Sequence, residues 1–148
     1  MRPGTRLLGL DLGSKTIGLA LSDPAFMVAS PIATIRRTKF GKAAAELDRL
    51  IADRGVGGLV LGLPINMDGS EGPRCQSTRQ FATNLIQRGM EQPIVFWDER
   101  LSTAAVERVL IDEADMSRRK RADVVDKMAA AYILQGALDR LRRIADDA

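Results

Sequence analysis

Two short apolar runs, Arg6–Asp11 and Ile17–Ser22, are separated only by the glycine-containing turn Leu12-Gly13-Ser14-Lys15-Thr16. Runs this short, this apolar and this close pair most simply as a β-hairpin. Every later strand signal except the next is separated from its predecessor by a helical stretch, which requires crossover connections. A hairpin followed by crossovers specifies a mixed sheet flanked by helices, an α/β fold. A third short strand is expected over about 29–35, with Pro31 marking an edge or an irregular start.

Residues 41–54 read as a helix, with Ala44, Leu47, Leu50 and Ile51 on one buried face. Gly57–Leu61 is a buried strand ending at Gly62-Leu63-Pro64, and Asn66–Gly72 is rich in turn formers. Pro73 suits the first turn of a helix running to about Arg88. A fifth strand covers Pro93–Asp98, Ser102 caps a helix through about Glu113, and a last helix spans roughly Ala122–Ile144. No repeat or linker divides the 148 residues, so residues 1–148 are expected to form one domain with a five-stranded sheet.

Residue usage narrows the chemistry. Histidine is absent, so no Ser-His or Cys-His dyad can form, and any hydrolytic activity must use carboxylates, lysine or metal-bound water. The one cysteine, Cys75, excludes an intramolecular disulfide and a multi-cysteine zinc site; a reduced thiol is expected, with pairing between two chains as the alternative. No uncharged apolar run approaches the roughly 18 residues of a membrane span, and the first residues lack a secretory pattern. A cytoplasmic protein with no membrane partner is therefore expected. The formal charge of +3 is unevenly spread: Arg118-Arg119-Lys120-Arg121 forms one cluster, and Arg36, Arg37, Lys39 and Lys42 another. Taken singly such runs are solvated surface; two of them beside an acidic site favour phosphate-backbone binding.

The acidic site comes from three carboxylates placed where apolar residues belong. Asp11 ends Leu7-Leu8-Gly9-Leu10, Glu99 ends Ile94-Val95-Phe96-Trp97, and Asp126 interrupts an alanine-rich helical stripe. A lone buried charge is costly unless paired or bound to a metal. Strand alternation puts Leu7, Gly9 and Asp11 on one face and Val95, Trp97 and Glu99 on one face. If the two strands are neighbours with matching orientation, their carboxylates can approach each other. At about 100° per residue, Asp126 shares a stripe with Ala122, Ala129, Ala130, Ile133, Ala137 and Ile144, with Asp123 the alternative acid. Each acid also has a bland reading. Asp11 could cap the turn, Glu99 could pair with Arg100 or cap at Ser102, and Asp126 could pair with Lys127 or Arg121. Together they favour a shared site for Mg²⁺ or Mn²⁺, suited to phosphodiester hydrolysis.

Four blocks carry a family resemblance: Leu10–Ala20, Gly62–Gly69, Asp98–Thr103 and Asp126–Leu134. In this order they resemble the YqgF (RuvX) family across nearly the whole chain. The resemblance implies a ribonuclease-H-like fold and a metal-dependent nuclease. It implies either 5′-end maturation of pre-16S rRNA in ribosome biogenesis, or a Holliday junction resolvase of DNA recombination and repair; symmetric cutting by the latter would require a homodimer. The family's acids carry over onto Asp11, Glu99 and Asp126. Thr16 departs from the basic residue common after the lysine of the first block.

Lys15 and Arg74 are expected phosphate contacts, and Asn66 and Asp68 are expected to position substrate, although their loop is also plain turn chemistry. Arg100 is expected to orient Glu99 beside the substrate. Trp97 and Tyr132 are expected in the core, leaving structured rRNA precursor or branched DNA to be bound through backbone and shape. Two rival classes remain at this point: one lobe of a sugar-kinase-type ATP-binding protein, and a non-catalytic nucleic-acid-binding module.

Overall fold

The computed structural model describes residues 5–101 and 118–147, with side chains described over 5–101 and 127–145. The helix expected at 102–113 lies outside the described residues. The strands are β1 (Arg6–Leu12), β2 (Thr16–Ser22), β3 (Ala29–Arg36), β4 (Val56–Leu63) and β5 (Ile94–Asp98). The helices are α1 (Phe40–Arg54), α2 (Pro73–Gln87) and α3 (Arg118–Asp147).

All five strands form one sheet in the order β3-β2-β1-β4-β5. β1, β2 and β3 pair antiparallel as a meander, whereas β1, β4 and β5 run parallel. The expected five-stranded mixed sheet is present. β3 is an edge strand, and the register slips between Leu19 and Ala20 where Ala20 faces Pro31. That is the irregularity a residue without an N–H donor imposes.

Alternation in β1 sorts the core into two layers. Leu8, Leu10 and Leu12 face Ala44 and Leu47 of α1 and Phe81 and Leu85 of α2. Leu7 joins Ala20 and Val60 on the other face, against Ala129, Ala130, Ile133, Leu134 and Leu138 of α3. Gly9 lies on this second face, where a Cβ would stand 2.8 Å from Leu134 Cβ and 3.0 Å from the Ala130 carbonyl oxygen. A glycine there lets α3 come down onto the sheet.

α1 stops at Gly55, which takes φ 64° and donates its N–H to the Ile51 carbonyl, a left-handed C-cap. β4 is longer than expected at both ends because, flanked by parallel neighbours, nearly all of Val56–Leu63 is buried. α3 is also longer than Ala122–Ile144, and Ile144, assigned to its buried stripe, is 52% exposed. The helix outruns the sheet: Leu138 is buried, but Leu141 one turn on is 38% exposed. Leu50, likewise assigned to the buried face of α1, is only partly buried. No helix among the described residues is long and apolar enough to cross a membrane.

Candidate active site

The carboxyl ends of β1, β4 and β5 lie along one rim of the sheet, where crossover loops leave and functional groups collect. Asp11 belongs to β1 on the α3 face and is 1% exposed; Glu99 is 6% exposed. Both acids are buried at the same rim, as their sequence context indicated.

β1 and β5 share an orientation but are not neighbours, because β4 lies between them. The Leu10↔Leu61 and Gly62↔Trp97 pairings put Gly62 abreast of Asp11 on one side and Trp97 on the other. β5 ends at Asp98, and Glu99 opens a single 3-10 turn, Glu99–Leu101. That turn lays Glu99 over β4, its Cγ 3.2 Å from where a Cβ on Gly62 would stand. One strand spacing of about 4.8 Å then separates this position from β1. The missing side chain of Gly62 lets Glu99 and Ile133 settle onto β4 between the two acidic strands, which do not touch.

The Arg100 side chain is bonded to Asp98 and to the Asn66 carbonyl. Its Nε and Nη2 bind the Asp98 carboxylate at 3.0 and 2.7 Å, and its backbone N–H donates to Asp98 Oδ1 at 2.9 Å. Asp98 thereby closes the 3-10 turn, and the Arg100 guanidinium holds its carboxyl below the usual carboxylate range. Proximity in sequence pointed to Glu99; the alternation of β5 sends Asp98 to the arginine instead. Sequence reasoning missed this role of Asp98, and the only signal was an acid two residues before the arginine.

The remaining Arg100 nitrogen, Nη1, reaches the Asn66 carbonyl at 3.3 Å and ties the β4–α2 loop to the end of β5. Within the loop, Asp68 Oδ1 accepts from the Ser70 N–H at 2.9 Å and hydroxyl at 2.6 Å, bonds that lower its pKa. Asn66 Nδ2 donates to Ser70 Oγ at 3.1 Å, and Gly69 turns the chain at φ 89°. Asn66 and Asp68 therefore shape the loop with their own side chains. Lys15 is exposed at the tip of the β1–β2 turn, and Arg74 is exposed in the first turn of α2.

Asp126 lies within α3, three and four residues before the buried Ala129 and Ala130. Its side chain, like those of Asp123 and the Arg118–Arg121 run, lies outside the described residues. Among the described residues no three acids form one cluster. Trp97 and Tyr132 both pack against the α3 core layer, as expected. The Trp97 ring closes on Gly136, where a Cβ would stand 2.9 Å from it. Cys75 is a buried free thiol, so a bridge through an exposed Cys75 is not available.

The sequence profile of the RuvX family, described as Holliday junction resolvase, matches residues 5–140. The chain belongs to the RuvX family. Its relatives agree closely with it. A Rhodospirillum centenum protein named "Putative pre-16S rRNA nuclease" is 66% identical over 142 residues, covering 93% of this chain and 75% of its own. A Phenylobacterium zucineum protein of the same name is 62% identical over 142 residues, covering 96% and 91%.

Among solved structures, this RuvX chain resembles Thermus thermophilus RuvC in complex with a Holliday junction substrate. The TM-score is 0.55 at 11% identity, with 90% and 93% of the two chains covered. It also resembles the fowlpox virus resolvase in complex with junction DNA, with a TM-score of 0.52 at 11% identity over 93% and 99%. At these identities the likeness is one of fold, and it establishes the ribonuclease-H-like architecture.

Proposed function

We propose that this RuvX protein is a Mg²⁺- or Mn²⁺-dependent endonuclease acting on structured nucleic acid, and that its role is 5′-end maturation of pre-16S rRNA. The observation that carries this reading is the burial of Asp11 and Glu99 at one rim of parallel strands, with Glu99 packed down onto Gly62 of the intervening β4. Buried carboxylates have to be offset, and carboxylate oxygens at one rim are the donors that hard cations take. The names of the close relatives support the substrate.

In this reading Asp11, Glu99 and Asp126 are the catalytic and metal-holding residues. Divalent cations bound there would supply Lewis-acid stabilisation of the charge developing on the scissile phosphate. Asp11 is fixed by its strand, and Glu99 is held over β4 by the turn that Asp98 and Arg100 close. With no histidine in the chain, carboxylates such as these are the groups suited to accept a proton from an attacking water. Lys15 and Arg74 contact phosphates flanking the cut. The Asn66–Asp68 loop, tied down by Arg100, borders the substrate on the β4 side. A cytoplasmic location accompanies this role.

Resolution of Holliday junctions is the second reading, favoured by the family's description. Symmetric cleavage of a junction requires two active sites and hence a two-fold dimer. Purified protein is expected to cut a precursor rRNA fragment in Mg²⁺ or Mn²⁺ and to leave a synthetic four-way junction intact under the same conditions. Cleavage of the junction alone, by a dimeric species, would transfer the assignment to the resolvase. No metal-stimulated cleavage of either substrate would remove both.

Gly62→Ala tests the role given to the close approach of Glu99 to β4. The new methyl would stand 2.5 Å from Ile133 Cδ1, the movable end of a side chain, and 3.2 Å from Glu99 Cγ. Cleavage under saturating substrate is expected to fall by about 10- to 100-fold, the cost of displacing a catalytic group by up to an ångström. KM should change little. A variant with unchanged kcat would show that Glu99 needs no such approach.

A further inference from the structure

The two buried acids face α3. On the opposite side of the same rim, under the β1–β2 turn, lies a cavity of about 310 Å³ lined by Leu12, Gly13, Ser14, Arg37, Arg74 and Ser77, with Pro73 at its edge. Arg37, the residue after β3, is built into its wall. Its Nη1 donates to the Gly13 carbonyl at 2.9 Å, its Nη2 to Ser77 Oγ at 2.5 Å, and its guanidinium carbon sits 5.7 Å from the Phe81 ring centroid. Its backbone N–H also donates to the Lys15 carbonyl at 2.8 Å, locking the strand exit to the turn. From the other side, Arg74 Nη2 approaches the Leu12 carbonyl at 3.4 Å.

Two guanidiniums are thus brought to one cavity by different elements, and no acid among the described residues lines it. Glu71, the acid nearest Arg74 in the chain, is engaged by Arg79 through bonds of 2.6 and 2.9 Å. The first turn of α2 carries no acidic residue either. Burial first, and the neighbouring Arg74 charge second, lower the pKa of Arg37. The fold therefore holds two like charges together against their repulsion. The Gly13 carbonyl and the Ser77 hydroxyl orient the Arg37 fork, Arg74 reaches the Leu12 carbonyl with one nitrogen, and further N–H groups are left to point elsewhere. Planar forks fixed in this way match the oxygens of a phosphate.

We propose that this cavity is a backbone-phosphate subsite, in which Arg37 and Arg74 grip a phosphate of the nucleic acid beside the one being cut. The subsite rests on the endonuclease reading for its ligand, and it places Arg37 in substrate binding with Arg74. It lies just past Asp11 along the chain, separated from the acid pair by the end of β1. A strand lying over the β1–β2 turn would then be held on one side of the sheet and cleaved on the other.

The test is the salt dependence of binding, measured with Asp11→Asn protein so that cleavage does not intervene, on an RNA with paired and unpaired segments. Arg37→Gln/Arg74→Gln is compared with Arg54→Gln/Arg49→Gln, which removes the same charge from α1. The slope of log affinity against log salt is expected to drop by about 0.7–0.9 for the phosphate lost, and to stay unchanged in the α1 variant. Arg74→Gln alone, at an exposed position, and Arg37→Lys, which keeps the charge, preserve the test should the double variant melt early. Both should weaken binding. Equal slopes in the cavity and α1 variants would overturn the subsite. So would thermal stabilisation by inorganic phosphate that the cavity variant loses while its RNA slope is unchanged, since that describes a free-anion site. A reduced slope in a protein whose wild type cleaves neither substrate would uphold the subsite and reject the nuclease reading.

Discussion

Asp11→Asn protein is expected to fold, bind nucleic acid and cleave at least ~10³-fold more slowly than wild type, a loss of about 4 kcal/mol of transition-state stabilisation. The substitution keeps the shape of a side chain that is 1% exposed and removes its charge. A cation held by carboxylates loses both a ligand and a neutralising charge, while the packing around β1 is untouched. The same variant separates the metal from the fold. Mn²⁺ at about 100 times its dissociation constant stabilises a binding-competent protein by ~2.7 kcal/mol. That corresponds to roughly 5–10 °C for a chain of this size. Wild type should show that rise in its melting midpoint and Asp11→Asn should not. Equal activity of the two proteins, in preparations free of contaminating nuclease, would end the carboxylate mechanism.

Gly9→Ala is expected to cost about 3 kcal/mol of stability, at the upper end of overpacking penalties, and to lower the melting midpoint by roughly 6–12 °C. The reason lies in what the added methyl would meet. It would stand 2.8 Å from Leu134 Cβ and 3.0 Å from the Ala130 carbonyl oxygen, atoms fixed to the α3 backbone. Neither is the free end of a flexible side chain, so the helix itself must lift. Because α3 also carries Asp126, cleavage should fall beyond what the loss of folded protein explains. Gly41→Ala is the contrasting control. Nothing lies within 4 Å of its Cβ position in the first turn of α1, and alanine there should be neutral or stabilising by up to ~1 kcal/mol. Chemical denaturation of the three proteins checks both expectations. A Gly9→Ala protein as stable as wild type would mean that α3 does not rest on β1 as closely as described.

What could be read directly from the chain was whatever depends on near neighbours. The hairpin at β1 and β2, the edge character that Pro31 imposes on β3, the proline start of α2 and the alanine face of α3 all follow from periodicity and turn chemistry over a few residues. The anomaly of Asp11 and Glu99 was equally visible, because an acid at the end of an apolar run is a local contradiction. Their burial at one rim follows once parallel strands are required by the crossovers.

Only the tertiary structure decided that β4 separates β1 from β5, since the order of parallel strands is set by how crossover helices pack over the whole sheet. It alone placed Gly62 between the two acidic strands, where Glu99 and Ile133 close onto its bare backbone. It also sent Arg100 to Asp98 and to the Asn66 carbonyl, where sequence adjacency pointed to Glu99, because strand alternation and a 3-10 turn outweigh proximity along the backbone. Arg37 read as one more charge in a basic cluster; its role emerges where β3, the β1–β2 turn and α2 meet. Charge and periodicity belong to the chain, whereas the neighbours that give a charge its purpose are chosen by packing.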